Sequence, residues 1–466
     1  MPLLRKGLWQ AGAGLLLLVL VAGSLLLARD LYFYPSPPTA DYPPATDTLT
    51  ARVQDVDYFR HYLTLDRSYT AESRAAAEAM LETLPLDSLS DAQFQLAIAR
   101  AVAVADNGHS NIWLGRFSLE FGRAPFRLYW FDDGLFVVSA AQDNAELLGG
   151  RLTHVGGVAV AEVSRALQVF AGGSDEGYRA YRGPGLLELP AALNALGFAD
   201  SEKEARYRFE LSDGRTIART LAAVAIDPEQ PIYWPRGYLL ANLAGSLPDW
   251  VGVVPAQPPL YLQEPERDFR VVWISEQDTV FVQFRRNSDG TDETIADFSD
   301  RVRDTIEAHR PRFIVVDHRF NGGGDYTTTA GLMTDLPGLL PDGGRLYLLT
   351  GNATFSAGIN SVAFARAAAP DRVTIVGARI GDPERTWGET NSFELPNSRL
   401  GITFSTGLHD VANGCYEWPE CYWTNYFFNV ATGSLDPDYP VGIRFSDYVA
   451  GRDPVLEKVW ALAGDL

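Results

Sequence analysis

Lysine is nearly missing from this chain: three in 466 residues, at Lys6, Lys203 and Lys458. None falls between 203 and 458, so a serine nucleophile in that stretch has no lysine near it in sequence to take its proton. Cysteine is scarcer still, with only Cys415 and Cys421. Two cysteines cannot by themselves complete a four-ligand zinc site, and a short-loop disulfide formed in an oxidising compartment fits them better. Positive charge is in deficit, 39 Lys and Arg against 59 Asp and Glu, for a net charge of −20. No basic stripe is left to neutralise phosphates, which argues against a nucleic-acid partner. The Walker and dinucleotide glycine patterns are also absent, and no metal ligands cluster, so no cofactor is expected.

What is present describes a folded protein. An apolar fraction of 46% with 12% aromatics supports full-sized cores, and the length allows two or three domains. At the amino end, Arg5 and Lys6 precede an uncharged apolar stretch, Ala11 to Ala28, closed by Arg29 and Asp30. As a helix it spans about 27 Å, close to the hydrocarbon thickness of a bilayer. Leu26-Leu27-Ala28 makes a poor cleavage site, so residues 1–30 read as an uncleaved membrane anchor, with a cleaved signal segment as the alternative. The flanking charges place the remainder on the extracytoplasmic, periplasmic side.

Residues 31–50, rich in Pro, Tyr, Thr and Asp, read as an extended linker. Residues 51–120 read as a helical domain, with Ala71 to Leu84 rich in helix formers and Ser90 as N-cap of a run from Phe94 to Val104. Residues 121–265 open with short alternating strands, 127–130 and 135–138, turned at Asp132-Asp133-Gly134. A helix is expected from Val160 to Phe170 and a hairpin around Ser212-Asp213-Gly214-Arg215. From 266 to 466 strand and helix patterns alternate, which implies an α/β layer. Strands are expected at 279–284, 313–316 and 345–350, and helices at 295–309 and 357–368.

Two features fall at the carboxyl ends of strands, where an open α/β sheet places its sites. The first is Asp317-His318-Arg319-Phe320-Asn321-Gly322-Gly323-Gly324, a glycine loop able to bring backbone N–H groups against an oxyanion. The second is Thr354-Phe355-Ser356-Ala357-Gly358. Ser356 stands at a helix start and is either an ordinary N-cap or a nucleophile, with the Ala357 N–H placed for an oxyanion. A serine nucleophile needs a base.

The two features together resemble the tail-specific, or C-terminal processing, serine protease family, including its tricorn-like branch. Asp106-Asn107-Gly108-His109-Ser110 is similar to the family's Asp-Gly-His-Thr element. Thr386-Trp387-Gly388 is similar to its Thr-x-Gly turn, and 435–441 with 453–457 to its carboxyl-terminal signature. The resemblance runs over residues 50–466 and is poorest in 171–265. It implies a ClpP/crotonase-like β-β-α core, a helical N-terminal domain, a PDZ-like module within 121–265, and polypeptide substrates. It further implies Ser356 as nucleophile, His109 as base, and an oxyanion hole from Gly323 and Ala357. Glu389 stands where the Ser-Lys branch carries its lysine, so a Ser-Lys pair is excluded. A distal Glu would complete the relay: Glu417 or Glu420, with Glu389 as the alternative. His409, assigned to a late loop, is the second candidate base. Gly108 stands where tricorn carries a second serine, which puts the relay in doubt. Hydrophobic-ligand binding without catalysis is the competing function, since one fold hosts many.

Overall fold

A computed structural model of the chain describes residues 21, 23–24, 26–173, 176–226, 239 and 249–464. Most of the apolar amino-terminal stretch, and with it the anchor or signal expected there, lies outside the described residues. Among the described residues no helix is long and apolar enough to cross a membrane.

The first helices start where side chains can satisfy their free N–H groups. Asp47 accepts from the Thr50 amide at 2.7 Å and opens the helix Thr48–Leu65. Ser90 forms a capping box with Gln93 and opens Asp91–Ala103. These helices share one core with a seven-stranded sheet. The sheet runs β1 (Phe126–Phe131), β2 (Gly134–Ala141), β3 (Arg151–Val155), then β5 (Glu204–Glu210) and β6 (Thr216–Ala222). Strand β4 (Val158–Ala159) pairs with β3, and β7 (Trp250–Gly252) with β2. All its pairings are antiparallel. The turn at 132–134 and the hairpin at 212–215 both fall where the sequence puts them. The expected helix 160–170 is α-helical over Val160–Leu167 and tightens to a 3₁₀ turn at Gln168–Phe170.

The second sheet is parallel over most of its width. Its strands are β8 (Phe269–Ile274), β9 (Thr279–Phe284), β10 (Phe313–Asp317), β11 (Arg345–Thr350) and β12 (Val373–Gly377). Strands β9 to β12 are parallel in sequential order, and β8 adds antiparallel to β9. Both faces are covered, so its strands are near-continuous apolar runs. Val280, Val282, Ile314, Val316, Leu346 and Leu348 face the crossover helices Ile295–His309, Thr327–Leu339 and Ala357–Ala368. Phe281, Phe313, Val315, Tyr347 and Leu349 face Val455, Leu456 and Val459 of the last helix, Pro454–Gly464. A separate two-stranded ribbon, β13 (Arg385–Glu394) with β14 (Gly401–Asp410), reaches back to the amino-terminal half. Strand β15 (Tyr439–Pro440) closes the far edge of the second sheet beside β12.

The Asp-x-Arg motif is a buried clamp. Arg319 forks onto Asp453 at 2.9 Å for both oxygens and onto Asp317 at 2.7 and 3.0 Å. The glycine loop is thereby tied to the carboxyl-terminal signature. Arg319→Met should strand two buried carboxylates and cost about 3–5 kcal/mol, as breaking a buried ion pair does. A denaturant midpoint left unchanged would show that the clamp carries no stability.

Residues 31–50, read from composition as an extended linker, make specific contacts with the folded part. The chain has no regular secondary structure from 35 to 45, and several of its residues are tied down. Phe33 is buried, Tyr58 donates to Pro38 O at 2.7 Å, and Tyr42 donates to Asp57 at 2.9 Å.

Candidate active site

Two loops from the carboxyl ends of β10 and β11 are laced together. Thr354 donates its hydroxyl to His318 O at 2.9 Å, and the Phe355 amide donates to Asn321 O at 3.0 Å. Asn321 in turn donates to Asn287 Oδ1 at 2.6 Å. This approach is close enough to require glycine on each side. A Cβ on Gly323 would lie 2.6 Å from Ser356 Cβ, and one on Gly358 would lie 2.6 Å from Asn321 O.

Ser356 sits at this junction with φ 54° and ψ −129°, a conformation that costs a non-glycine residue about 1–3 kcal/mol. Its hydroxyl makes no capping hydrogen bond, so it is not an ordinary N-cap. The helix starts at Ala357, whose N–H, as the first of the helix, has no intrahelical acceptor. Gly323 has φ 105° and lies against Ser356, but its N–H already donates to Asn321 Oδ1 at 3.1 Å.

The loop carrying His109 is held by β14. Thr403 donates its hydroxyl to His109 O at 2.7 Å, and Asn107 donates to both Ser110 and Ser405 at 3.0 Å. The imidazole stacks on Phe355 with ring centres 4.3 Å apart, and Tyr178 stacks on the other side of Phe355 at 4.6 Å. That stack occupies the space beside Gly108, where a Cβ would meet the Phe355 and Tyr178 rings at 3.1 Å. A serine there, as the resemblance would have it, does not fit without movement.

The relay expectation needs correction. Glu417 is exposed and forks onto Arg385 at 2.5 and 2.9 Å, in the surface loop closed by the Cys415–Cys421 disulfide. Glu420 lies exposed in the same loop, its carbonyl accepting from the Leu408 amide. Glu389 pairs with His409 Nε2 at 3.3 Å. The carboxylate beside His109 is Asp382, 3.3 Å from Nδ1, with the side chain 2% exposed. This is an ion-pair distance without hydrogen-bond alignment. Thr386 donates to Asp382 at 2.6 Å and fixes it. Sequence reading missed Asp382. Its one available signal was Gly381-Asp382 just beyond a strand end, where Gly381 packs on the Asn352 carbonyl.

His409 is on strand β14, opposite Thr386, and not in a loop. With Ser356, His109 and Glu389 it lines a cavity of about 30 Å³. Burial by itself raises the Glu389 carboxyl. The hydrogen bond and charge of His409, then the Tyr34 hydroxyl and the charge of His109, outweigh it and hold the group below its ordinary value. A larger cleft of about 1080 Å³ lies on the other side, bounded by His109, the glycine loop 322–324, Trp113, Tyr178 and Tyr181. Its lining mixes aromatic and apolar side chains with four arginines, Arg116, Arg123, Arg182 and Arg286.

His318 supports the loop from beneath. Burial pushes it down to about 4, against the opposing charge of Asp317. The folded state therefore holds it neutral while the unfolded chain protonates near 6.5, and its contribution is present above 6.5 and lost as pH falls towards 4. Native protein should lose up to about 3 kcal/mol across that window through this residue. Chemical denaturation of His318→Gln beside the parent should show a shallower decline, and identical pH slopes would refute the neutral assignment.

No family model and no curated protein matches the chain. Solved structures do match, and they define the class as an α/β fold already known. That fold is shared with mature CPAF complexed with lactacystin, at a TM-score of 0.58 and 13% identity over 90% of this chain and 99% of the other. A serine-to-alanine variant of CPAF gives 0.59 and 13% over 90% and 98%. The photosystem II D1 C-terminal processing protease aligns over 88% of this chain and 99% of its own at 14% identity, but its TM-score of 0.35 carries no weight. Likeness at this level fixes the fold and leaves the chemistry to the residues.

Proposed function

We propose that this chain is a serine peptidase of the tail-specific, C-terminal processing kind, with Ser356, His109 and Asp382 as its triad. The observation that carries the reading is Ser356: a strained, uncapped hydroxyl at a helix start, sharing a cavity with an imidazole whose Nδ1 lies 3.3 Å from a buried carboxylate. In acylation the Ser356 hydroxyl attacks the peptide carbonyl, and His109 Nε2 takes its proton and returns it to the leaving amine. Asp382 holds the ring in the tautomer that leaves Nε2 free. The Ala357 N–H stabilises the developing oxyanion, joined by a glycine-loop amide; for Gly323 this means sharing its N–H with Asn321. The polypeptide lies in the larger cleft.

On this reading the second sheet with its helices is the ClpP/crotonase-like core, residues 266–466. The antiparallel sheet within 121–265 is the PDZ-like module, and 51–120 the helical domain that brings the base. The disulfide and the apolar amino-terminal stretch support an extracytoplasmic, membrane-anchored setting.

Labelling purified protein with a fluorophosphonate tests the reading directly. Covalent modification at Ser356, lost in His109→Ala, is the expected result. Absence of label on folded protein would favour a non-catalytic, ligand-binding relative.

A further inference from the structure

The small cavity beside Ser356 has a construction that acylation does not use. Its volume of about 30 Å³ suits one or two water molecules, which need roughly 10–15 Å³ each and two or more polar partners. Its walls supply such partners. Nε2 of His109 and Nδ1 of His409 are buried without a hydrogen bond among the described residues, while Nδ1 of His109 faces Asp382. The two imidazoles meet over Gly388: a Cβ there would lie 3.5 Å from His409 Nε2 and 3.9 Å from His109 Nε2. Only the missing side chain leaves room between them.

His409 is held in place by a chain of contacts that runs through Phe33 and Tyr34. Glu389 takes His409 Nε2 at 3.3 Å on one oxygen and the Tyr34 hydroxyl at 2.7 Å on the other. The Tyr34 hydroxyl also meets that of Tyr422 at 2.9 Å. Tyr34 is fixed by its neighbour Phe33, which is buried edge-on against Tyr422 and whose carbonyl accepts from Thr406 and Asn391.

We propose that this pocket holds the water that hydrolyses the acyl-enzyme, with His409 as its positioning residue, anchored through Glu389 to Tyr34. The inference rests on the peptidase reading above. In this step the water oxygen bonds to the acyl carbon and His109 takes the water proton. The bond from carbon to Ser356 Oγ then breaks, and Oγ recovers the proton from His109. The released product is a carboxylic acid that ionises in solvent.

Gly388→Ala tests this by placing a methyl between the imidazoles, 3.9 Å from His109 Nε2 and 3.3 Å from His409 Cδ2, close enough that the His409 ring must give by a few tenths of an ångström. With an activated peptide ester, burst kinetics and intact-protein mass spectrometry separate the two half-reactions. The expected result is an unchanged acylation burst, a steady state slower by about 10²-fold, and an acyl adduct accumulating on Ser356. Tyr34→Phe, which removes one hydroxyl, should give the same split at smaller size. If both half-reactions slow together, or neither changes, in Gly388→Ala and Tyr34→Phe alike, the pocket has no such role. Parent protein that never forms an acyl adduct would instead overturn the peptidase reading, and the water pocket with it.

Discussion

Ser356→Ala is expected to reduce peptide hydrolysis to background, a loss of about 10⁶-fold in turnover, because nucleophile and base act as one unit. The same substitution should leave the fold as stable as the parent. The Ser356 hydroxyl makes no capping hydrogen bond, and the strained φ of 54° belongs to the backbone, held by the loop around Asn321 and Gly323. If Ser356 were an N-cap after all, alanine would cost about 1 kcal/mol of stability and nothing in activity. Thermal unfolding and a peptide-cleavage assay on one preparation separate the two roles. Undiminished cleavage would remove Ser356 from the mechanism. A clear stability loss with no cleavage in either protein would return it to capping.

Much of the parallel sheet was legible because its signals are local. The helix Ile295–His309 and the strands Thr279–Phe284 and Arg345–Thr350 have the residue limits expected of them, since apolar periodicity and terminal residues both lie inside the segment. That Ser356, His109 and the glycine loop would come together was expected for a different reason, from motifs in a fixed order, and they do line one cavity. What could not be read is the set of partners chosen by tertiary approach. Asp382 lies in irregular chain between β12 and β13, and only the folded ribbon brings it to His109. Glu417 and Glu420 stand shortly before Asp436-Pro437-Asp438, where the family resemblance puts a Glu, but the disulfide-closed loop turns them to the surface. Composition made 31–50 a linker, and it gives no hint that Phe33 is buried or that Tyr34 reaches Glu389. His409 looked like a loop residue because the strand around it, Thr403 to His409, is broken in pattern by Ser405, Thr406 and Gly407. Those residues are buried where the ribbon packs against the helical half.

The identity of the relay carboxylate gives the second large effect. Asp382→Asn should lower turnover by about 10⁴-fold while leaving the substrate affinity of the cleft nearly intact, because the amide favours the wrong imidazole tautomer without moving the ring. The geometry supports a specific loss. Asp382 touches His109 Nδ1 and the Thr386 hydroxyl, and asparagine can keep the second contact while losing the charge that stabilises an imidazolium. Glu417→Gln should be silent, since that carboxylate is exposed and bonded to Arg385. Glu389→Gln should fall between them, as it weakens the hold on His409 without touching His109 Nδ1. Measuring kcat and KM separately for the three variants decides the matter. A large kcat loss in Glu417→Gln with Asp382→Asn active would mean that the surface loop closes over the site when substrate binds, and the triad would have to be redrawn around Glu417.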